Sequence, residues 1–454
     1  MDCYKIGVLG SVDSGKSTFI GVLKTNKNDD GRGLLRKYVM KHNHELESGR
    51  TSCISYNIIN INEKLFNFVD LAGHESYLKT TIYGLSALNL NYVIIIIGAN
   101  MGVNVMTKEH FSLAQVLQLP IIFVINKIDI CPENIINNTL KDLRKLVKSK
   151  GGTIKNIEIM ENEDLINKKE NNEILFYNSE ENEILLNNKN IDKYNSIIKQ
   201  KKMNNINVDT TYPVFFISNK NGYGIDNVRD FICKIHDNNI NKEIINKNMN
   251  KNIETSDKNS IFIIQETYTI KGIGIVFYGY QKNGKISKND VIKIGPIGSK
   301  FYSISIRNVR DVLDNDVETL NEGQLGCIAI KQLSKEFTFK REHIKKGVYI
   351  TSNPYCCEEF VAKVFILHHP TTIRENYQST IHCGSVIQAA KILEIINIKN
   401  SIDSNENKLL RTGDFAKVKF KFMFRPEFIE NESLFVFREN NAKGVGKILS
   451  TVCI

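Results

Sequence analysis

The sequence predicts an α/β domain built on a mostly parallel sheet and carrying a phosphate-binding P-loop, followed by two small all-β barrels. Three observations predict it. Apolar runs of strand length at 4–9, 65–69, 93–97, 121–125 and 213–217 alternate with stretches of helical period such as MTKEHFSLAQVLQ (106–118) and ENIINNTLKDLRKLVKS (133–149). Strands alternating with helices make a parallel sheet wrapped on both faces. The stretch GSVDSGKST (10–18) follows the first of these runs and opens a helical pattern. From residue 259 the grammar changes: IFIIQETYTI, IGIVFYGY and VIKIGP alternate and are punctuated by KGIG, KNGK and NEGQLG turns, as in a small barrel. A further all-β block begins near Pro354 with FVAKVFILHH, STIHCG, FAKVKFKFMF and LFVFRE.

Composition sets the boundaries. We expect the α/β domain over 1–240, interrupted at about 151–210 by a low-complexity insertion rich in Asn, Glu, Lys and Ile, with no clean period and partly disordered. A polar linker over 241–258 then leads to one barrel over 259–354 and another over 355–454. A chain of 454 residues, 42% hydrophobic and 24% charged, is ordinary for two to four soluble domains. Nine scattered cysteines without a CxxC pair argue against a disulfide framework and for a reducing compartment. The opening MDCYKIGVLG reads as a strand rather than a signal peptide, and VIIII (93–97) is far too short to span a bilayer. The expectation is a cytoplasmic protein without a membrane partner. A net charge of +10 favours a polyanionic partner such as RNA.

The chemistry is carried by four loops. In Gly10-x4-Gly15-Lys16-Ser17 the glycines let backbone N–H groups wrap phosphates, and the following helix N-terminus adds partial positive charge. Val12, Asp13, Ser14, Gly15, Lys16, Ser17 and Thr18 are the expected cradle, with Lys16 on the β/γ-phosphates and the Ser17 hydroxyl on Mg²⁺. Asn126-Lys127-Ile128-Asp129 follows the strand IIFVI. A carboxylate there can accept both guanine N1–H and the N2 amine, which adenine does not offer. Ser218-Asn219-Lys220, after VFFI, occupies the place of a loop contacting the guanine O6. The nucleotide is therefore expected to be GTP or GDP. Asp70-Leu71-Ala72-Gly73-His74-Glu75 follows LFNFV. Asp70 is placed to hold Mg²⁺ through a water, and the Gly73 N–H to sense the γ-phosphate. His74 is the expected catalytic residue, orienting or polarising the attacking water.

GSVDSGKST, DLAGHE and NKID, in this order and followed by two barrels, resemble the elongation factor Tu superfamily of translational GTPases. The fold class is then an α/β P-loop GTPase domain followed by two small all-β barrel domains. The chain is more similar still to the GTP-binding protein 1 and 2 family, through GRGLLRKYVMKHNHELESGRTSCIS (31–55), FILHHPTTIRENYQSTIHCGSVIQAAKI (365–392), LLRTGDFAKVKFKF (409–422) and LFVFRENNAKGVGKI (434–448). The resemblance covers nearly the whole chain outside the two Asn-rich tracts. It implies a GTP-hydrolysing switch, expected as a monomer, that works with the ribosome and tRNA or another RNA. Relatives are linked to aminoacyl-tRNA delivery, to mRNA surveillance through the exosome, and to ribosome rescue with a decoding-protein partner. It further implies that Asp13 can help place a monovalent cation beside the γ-phosphate, and that Val12 forms one side of a hydrophobic gate for His74. Two other readings remain: a non-catalytic GTP-dependent adaptor of an RNA-decay complex, and the GTPase subunit of ATP sulfurylase.

Three features depart from that pattern. Members of the family carry a long N-terminal extension, whereas this chain opens on the first strand. Ser11 stands where many translational GTPases have His. Switch I reads Arg50-Thr51-Ser52-Cys53-Ile54 where elongation factor Tu has Arg-Gly-Ile-Thr-Ile. Because a thiol is a poor Mg²⁺ ligand, Thr51 is the expected metal ligand, with Ser52 next and Cys53 last.

Two weaker constellations complete the reading. Cys356, Cys357, His368, His369, His382 and Cys383 invite a zinc assignment, but adjacent strand residues point to opposite faces and no CxxC-type spacing is present. Barrel packing or partner contact is expected instead. Lys335, Lys340, Arg341, Lys345 and Lys346 cluster around two phenylalanines, as a solvated barrel loop or a contact for RNA phosphates.

Overall fold

The computed structural model of the chain describes residues 3–40, 45, 51, 53–149, 152–156, 174–176, 184–186, 210–236, 259–333, 339–344, 348–399, 409–439 and 442–453. These fall into two compact units. One comprises Tyr4–Gly84 with Leu90–Glu254, the other Met1–Cys3, Leu85–Asn89 and Thr255–Ile454.

In the first unit, β1 (Tyr4–Gly10), β2 (Ser55–Ile61), β3 (Lys64–Asp70), β4 (Tyr92–Gly98), β5 (Ile121–Asn126), β6 (Gly152–Asn156) and β9 (Thr210–Phe216) build one sheet in the order β2-β3-β1-β4-β5-β9-β6. Two short strands, β7 (Ile174–Phe176) and β8 (Ile184–Leu186), pair with each other. All neighbours in the large sheet are parallel except β2, which runs antiparallel to β3. β1 and β4 are buried along their whole length, which is why they read as unbroken apolar runs rather than alternations. Helices α1 (Lys16–Thr25), α2 (Leu78–Ala87), α3 (Val105–Val116) and α4 (Glu133–Lys148) follow β1, β3, β4 and β5, and a further helix covers 225–236. Phe19, Ile20, Phe66, Phe68, Ile94, Ile96, Val124 and Phe215 meet in one core. Phe111, Phe123 and Tyr212 form a triad with ring centroids 5.4–5.9 Å apart.

The parallel sheet extends further than the periodicity suggests. Residues 152–156, read above as the start of the insertion, form its edge strand, with Gly152 opposite Thr210 and Asn156 opposite Val214. The segment GTIKN has a single large apolar side chain, so no run announces it. Apart from β6, β7, β8 and Thr210, the proposed insertion lies outside the described residues, as does the 241–258 linker.

The second unit holds two closed six-stranded barrels. Around the first run Ile261–Ile270, Gly274–Asn283, Leu325–Gln332, Lys300–Asp311, Val291–Ile297 and Tyr349–Thr351. Around the second run Cys357–His368, Phe415–Phe422, Val386–Lys399, Gln378–Cys383, Leu434–Glu439 and Ala442–Cys453. Closure pairs every strand of each barrel on both sides. The barrels join through an ion pair of Lys282 with Glu430, and through Phe428 packed on Tyr349 and Tyr355 at 4.9 and 4.6 Å. Cys357 and Cys383 are buried, and burial pushes both thiols up to about 12. Among the described residues the six Cys and His side chains named above do not gather into a metal-holding group. Lys340 and Arg341 lie on an exposed turn, while Lys335, Lys345 and Lys346 fall outside the described residues.

Glu427 sits in the second barrel at 1% exposure, accepting from Gln388 Nε2 at 2.8 Å and Arg425 Nε at 2.9 Å. Burial pushes its carboxyl up to about 7, against the pull of Arg425 and Gln388. The folded state thus binds this proton more tightly than the unfolded chain, whose value is 4.5. Its contribution is fully present below pH 4.5 and is lost as pH rises through about 7. Urea unfolding should show this barrel weakening by roughly 3 kcal/mol across that window. Glu427→Gln should flatten the profile.

Candidate nucleotide-binding site

Four loops leave the C-terminal ends of parallel strands on the same edge of the sheet: residues 10–15 after β1, 70–74 after β3, 126–130 after β5 and 217–222 after β9. In open α/β sheets this is where ligands bind. One cavity is lined there by Val12, Asp13, Gly15, Lys16, Ser17 and Thr18, by Thr51, Gly73 and His74, and by Asn126, Lys127, Asp129, Asn219 and Lys220. Sequence positions spread over more than two hundred residues therefore share a single pocket.

One end of the cavity is built by α1. Its N-cap, Gly15, has φ 94 and supplies no side-chain cap, so the first-turn N–H groups stay available to an anion. A Cβ on Gly15 would come within 2.2 Å of the Asn126 amide. Lys16 is buried and donates from Nζ to Ser11 O at 2.8 Å. Burial pulls its ammonium below the usual lysine value, against the Asp70 and Asp13 carboxylates. Ser11 also accepts from Ser14 Oγ at 2.9 Å. It acts through its carbonyl in both contacts, which any residue supplies, so its side chain bears little on the loop.

Ser17 Oγ, Thr51 Oγ1 and Asp70 Oδ2 lie 2.6–3.1 Å from one another. Asp70 is fully buried and Oδ1 has no hydrogen-bond partner among the described residues. Burial raises its carboxyl above the ordinary range, against Lys16, Ser17 and Thr51. Three hard oxygens with an open carboxylate lone pair fit a small divalent cation. Cys53 is exposed, its backbone N donating to Glu45 Oε1 at 3.1 Å, and Ser52 lies outside the described residues. Of the switch I alternatives, the structure brings Thr51 to Ser17 and Asp70.

Gly73 is pinned by its neighbours: a Cβ there would meet Lys16 Nζ at 2.4 Å and Gly10 O at 2.5 Å. Gly73→Ala must shift one of the two loops, at a cost of about 1–3 kcal/mol. Titration should show GTP affinity falling more than GDP affinity. His74 caps a short 3₁₀ turn, its Nδ1 accepting from Ser76 N at 3.1 Å, with Tyr77 packed edge-on. That acceptor role puts the proton of the neutral ring on Nε2.

On the loop after β5, Lys127 sits in left-handed backbone with φ 67. Ser218 Oγ donates to Asp129 Oδ1 at 2.7 Å and so fixes the carboxylate. Asn126 ties the loops together, donating to Ser14 O at 2.9 Å, while Asn219 donates to Gly15 O at 3.2 Å. Ser14 and Ser218 stand behind the cavity wall rather than in it. The cavity also includes Asp29, Gly31, Arg32, Gly33, Arg36 and Ile130, none of which the motif reading singled out as site residues.

This fold and loop set define a guanine-nucleotide switch domain. Residues 1–238 match the family described as the elongation factor Tu GTP binding domain, and the chain belongs to that family. The chain is 32% identical to GTP-binding protein 1 of Xenopus laevis, the match covering 98% of this chain and 62% of the relative. It is 29% identical to human GTP-binding protein 2, over 99% of this chain and 69% of the relative. The chain thus spans about three-fifths of the length of GTP-binding protein 1. Among solved structures, translation elongation factor SelB from Methanococcus maripaludis, in complex with the GTP analogue GppNHp, matches all of this chain and 81% of its own. Its TM-score is 0.65 at 17% identity, a likeness of fold.

Proposed function

We propose that this chain is a GTP-hydrolysing, elongation-factor-like switch that works with the ribosome and a tRNA or other RNA in the cytoplasm. The observation that carries the reading is the convergence of the P-loop, Thr51, Asp70–His74, Asp129 and Ser218–Lys220 on one cavity. The α1 N-terminus and Lys16 hold the phosphates. Ser17, Thr51 and Asp70 would hold Mg²⁺, which when bound neutralises charge on the β/γ-phosphates. Asp13, beside Lys16, suits a monovalent cation near the same oxygens, and Val12 lines the approach to His74. Asp129, held by Ser218, takes the guanine N–H groups, with Asn126, Lys127, Asn219 and Lys220 completing the base pocket.

Hydrolysis adds water to the γ-phosphorus and breaks its bond to the β–γ bridging oxygen. With Nδ1 engaged by Ser76, His74 presents Nε2–H, a donor that orients the water through its oxygen. The name of the SelB relative, a translation elongation factor, and the net charge of +10 support a ribosomal RNA-bearing partner. No helix among the described residues is long and apolar enough to cross a membrane.

Single-turnover hydrolysis of GTP with and without ribosomes tests the proposal. The rate should be slow alone and rise steeply with ribosomes. Fast turnover by the isolated chain would overturn it.

A further inference from the structure

The wall of the cavity that the motifs leave unexplained is a turn over residues 29–36. Its conformation is fixed by two carboxylates. Asp29, 7% exposed, accepts from the backbone N–H groups of Gly31 and Gly33 at 2.9 Å each and of Leu35 at 3.1 Å. Asp30 accepts from Arg32 N at 2.8 Å and Leu34 N at 3.2 Å. Both acids are thus engaged by backbone N–H groups, which with the nearby Arg32 guanidinium hold the Asp30 carboxyl below the usual range, while Arg32 makes no close ion pair among the described residues. Arg36 closes the turn, donating from Nε to Gly33 O at 3.1 Å and from Nη2 to Arg32 O at 3.0 Å. Both arginines line the cavity.

Two anchors locate this turn along the nucleotide. Asp29 N donates to Asn219 O at 2.8 Å, and a Cβ on Gly31 would touch the Lys220 stem at 3.2 Å, so one end abuts the base loop. At the other end, a Cβ on Gly21 would lie 2.5 Å from Leu35 O, which presses the backbone next to Arg36 onto α1. Gly21 lies one turn beyond Thr18 on the same face of α1, and Thr18 lines the cavity. P-loop amides at the start of such a helix hold the α- and β-phosphates. The arginines therefore flank the stretch between base and β-phosphate.

We propose that Arg32 and Arg36, held by this Asp-organised turn, bind the α-phosphate and ribose of the nucleotide and set the affinity for GDP and GTP alike. The guanidinium groups donate charge-assisted hydrogen bonds to the non-bridging α-phosphate oxygens and to the ribose hydroxyls. The proposal rests on the guanine-nucleotide reading of the cavity. It adds to the family's loops a clamp that does not distinguish the two nucleotide states.

Calorimetric titration with GTP, GDP and guanosine (the last by competition) tests it on wild type, Arg32→Ala and Arg36→Gln. GDP and GTP affinities should each fall about tenfold per arginine, in equal measure, while guanosine, which keeps the ribose but lacks the α-phosphate, loses less. Arg36→Lys should recover part of the loss. A loss confined to GTP would place the arginines on the γ-phosphate and overturn the proposal. So would an equal loss for guanosine, which would mean the turn only shapes the base pocket. Unchanged GDP affinity in both variants overturns the clamp while leaving the nucleotide reading intact, whereas a wild type that binds no GDP overturns both. Arg36 supports the turn, so melting of the nucleotide-free variants is measured alongside. Arg32 is exposed and its hydrogen bonds within the turn are made by its backbone, so Arg32→Ala reads the clamp even if Arg36→Gln fails to fold.

Discussion

Replacing Asp129 by Asn should lower affinity for guanine nucleotides by about 10²–10⁴ and transfer preference to xanthine nucleotides. The carboxylate can accept from guanine N1–H and from the N2 amine at once, and each charge-assisted bond is worth about 1.5–3 kcal/mol. In the same rotamer, the oxygen of the introduced amide keeps the bond from Ser218 Oγ, 2.7 Å from Asp129 Oδ1 in the native chain. The NH₂ of that amide then faces the cavity, where it opposes a donor on guanine but meets an acceptor oxygen on xanthine. A site built to hydrogen-bond a polar edge rejects an analogue that lacks it far more strongly than an apolar pocket rejects a missing methylene. Equilibrium titration with GDP and XDP checks the switch. Ser218→Ala is the companion, freeing the carboxylate rotamer and costing a smaller factor. If GDP affinity survives in Asp129→Asn, this loop does not read the base.

What the chain discloses in one dimension depends on whether a signal is local. The buried strands β1, β4 and β5 announce themselves because both faces are covered and nearly every residue is apolar or small. β2, SYNIINI, buries alternate residues, but the buried set includes the polar Ser55 and Asn57 while Ile58 lies between buried positions, so it stands out neither as a run nor as an alternation. β6 is short and mostly polar, and only its pairing with β9 makes it a strand. The loop motifs are legible because their spacing to a strand end is part of the signal. Thr51 could be favoured over Cys53 from ligand chemistry alone, but only the approach of Thr51 Oγ1 to Asp70, at 3.1 Å, separates it in space. Ser11 departs from the pattern in its side chain, whereas the loop uses its carbonyl. The 29–36 turn carried a local signal, Asp-Asp-Gly-Arg-Gly, the composition of nested Asx turns. Nothing local said that this turn faces a nucleotide, because that follows from long-range contacts with Asn219 and Gly21.

His74→Ala should remove ribosome-stimulated hydrolysis while leaving GTP and GDP affinity nearly intact. The ring lines the cavity but lies on a short turn of its own, held through Nδ1 by Ser76 and packed by Tyr77, and it holds neither Lys16 nor the Ser17–Thr51–Asp70 group. Its loss therefore deletes the water-orienting donor without opening the phosphate cradle. A positioned acid, base or orienting donor contributes about 10²–10⁴ in rate, and the stimulated rate should fall by that factor. The basal rate should change far less, because in the isolated chain no partner brings the Nε2–H donor onto the attacking water. His74→Gln separates orientation from proton transfer. A glutamine amide can donate to the water from near the Nε2 position but cannot accept its proton at neutral pH. Substantial recovery of stimulated turnover in His74→Gln supports the orienting role that the Nε2–H tautomer implies. Recovery absent in His74→Gln, with GTP affinity preserved, assigns the ring to proton abstraction, and loss of GTP affinity in His74→Ala would mean that the residue is structural.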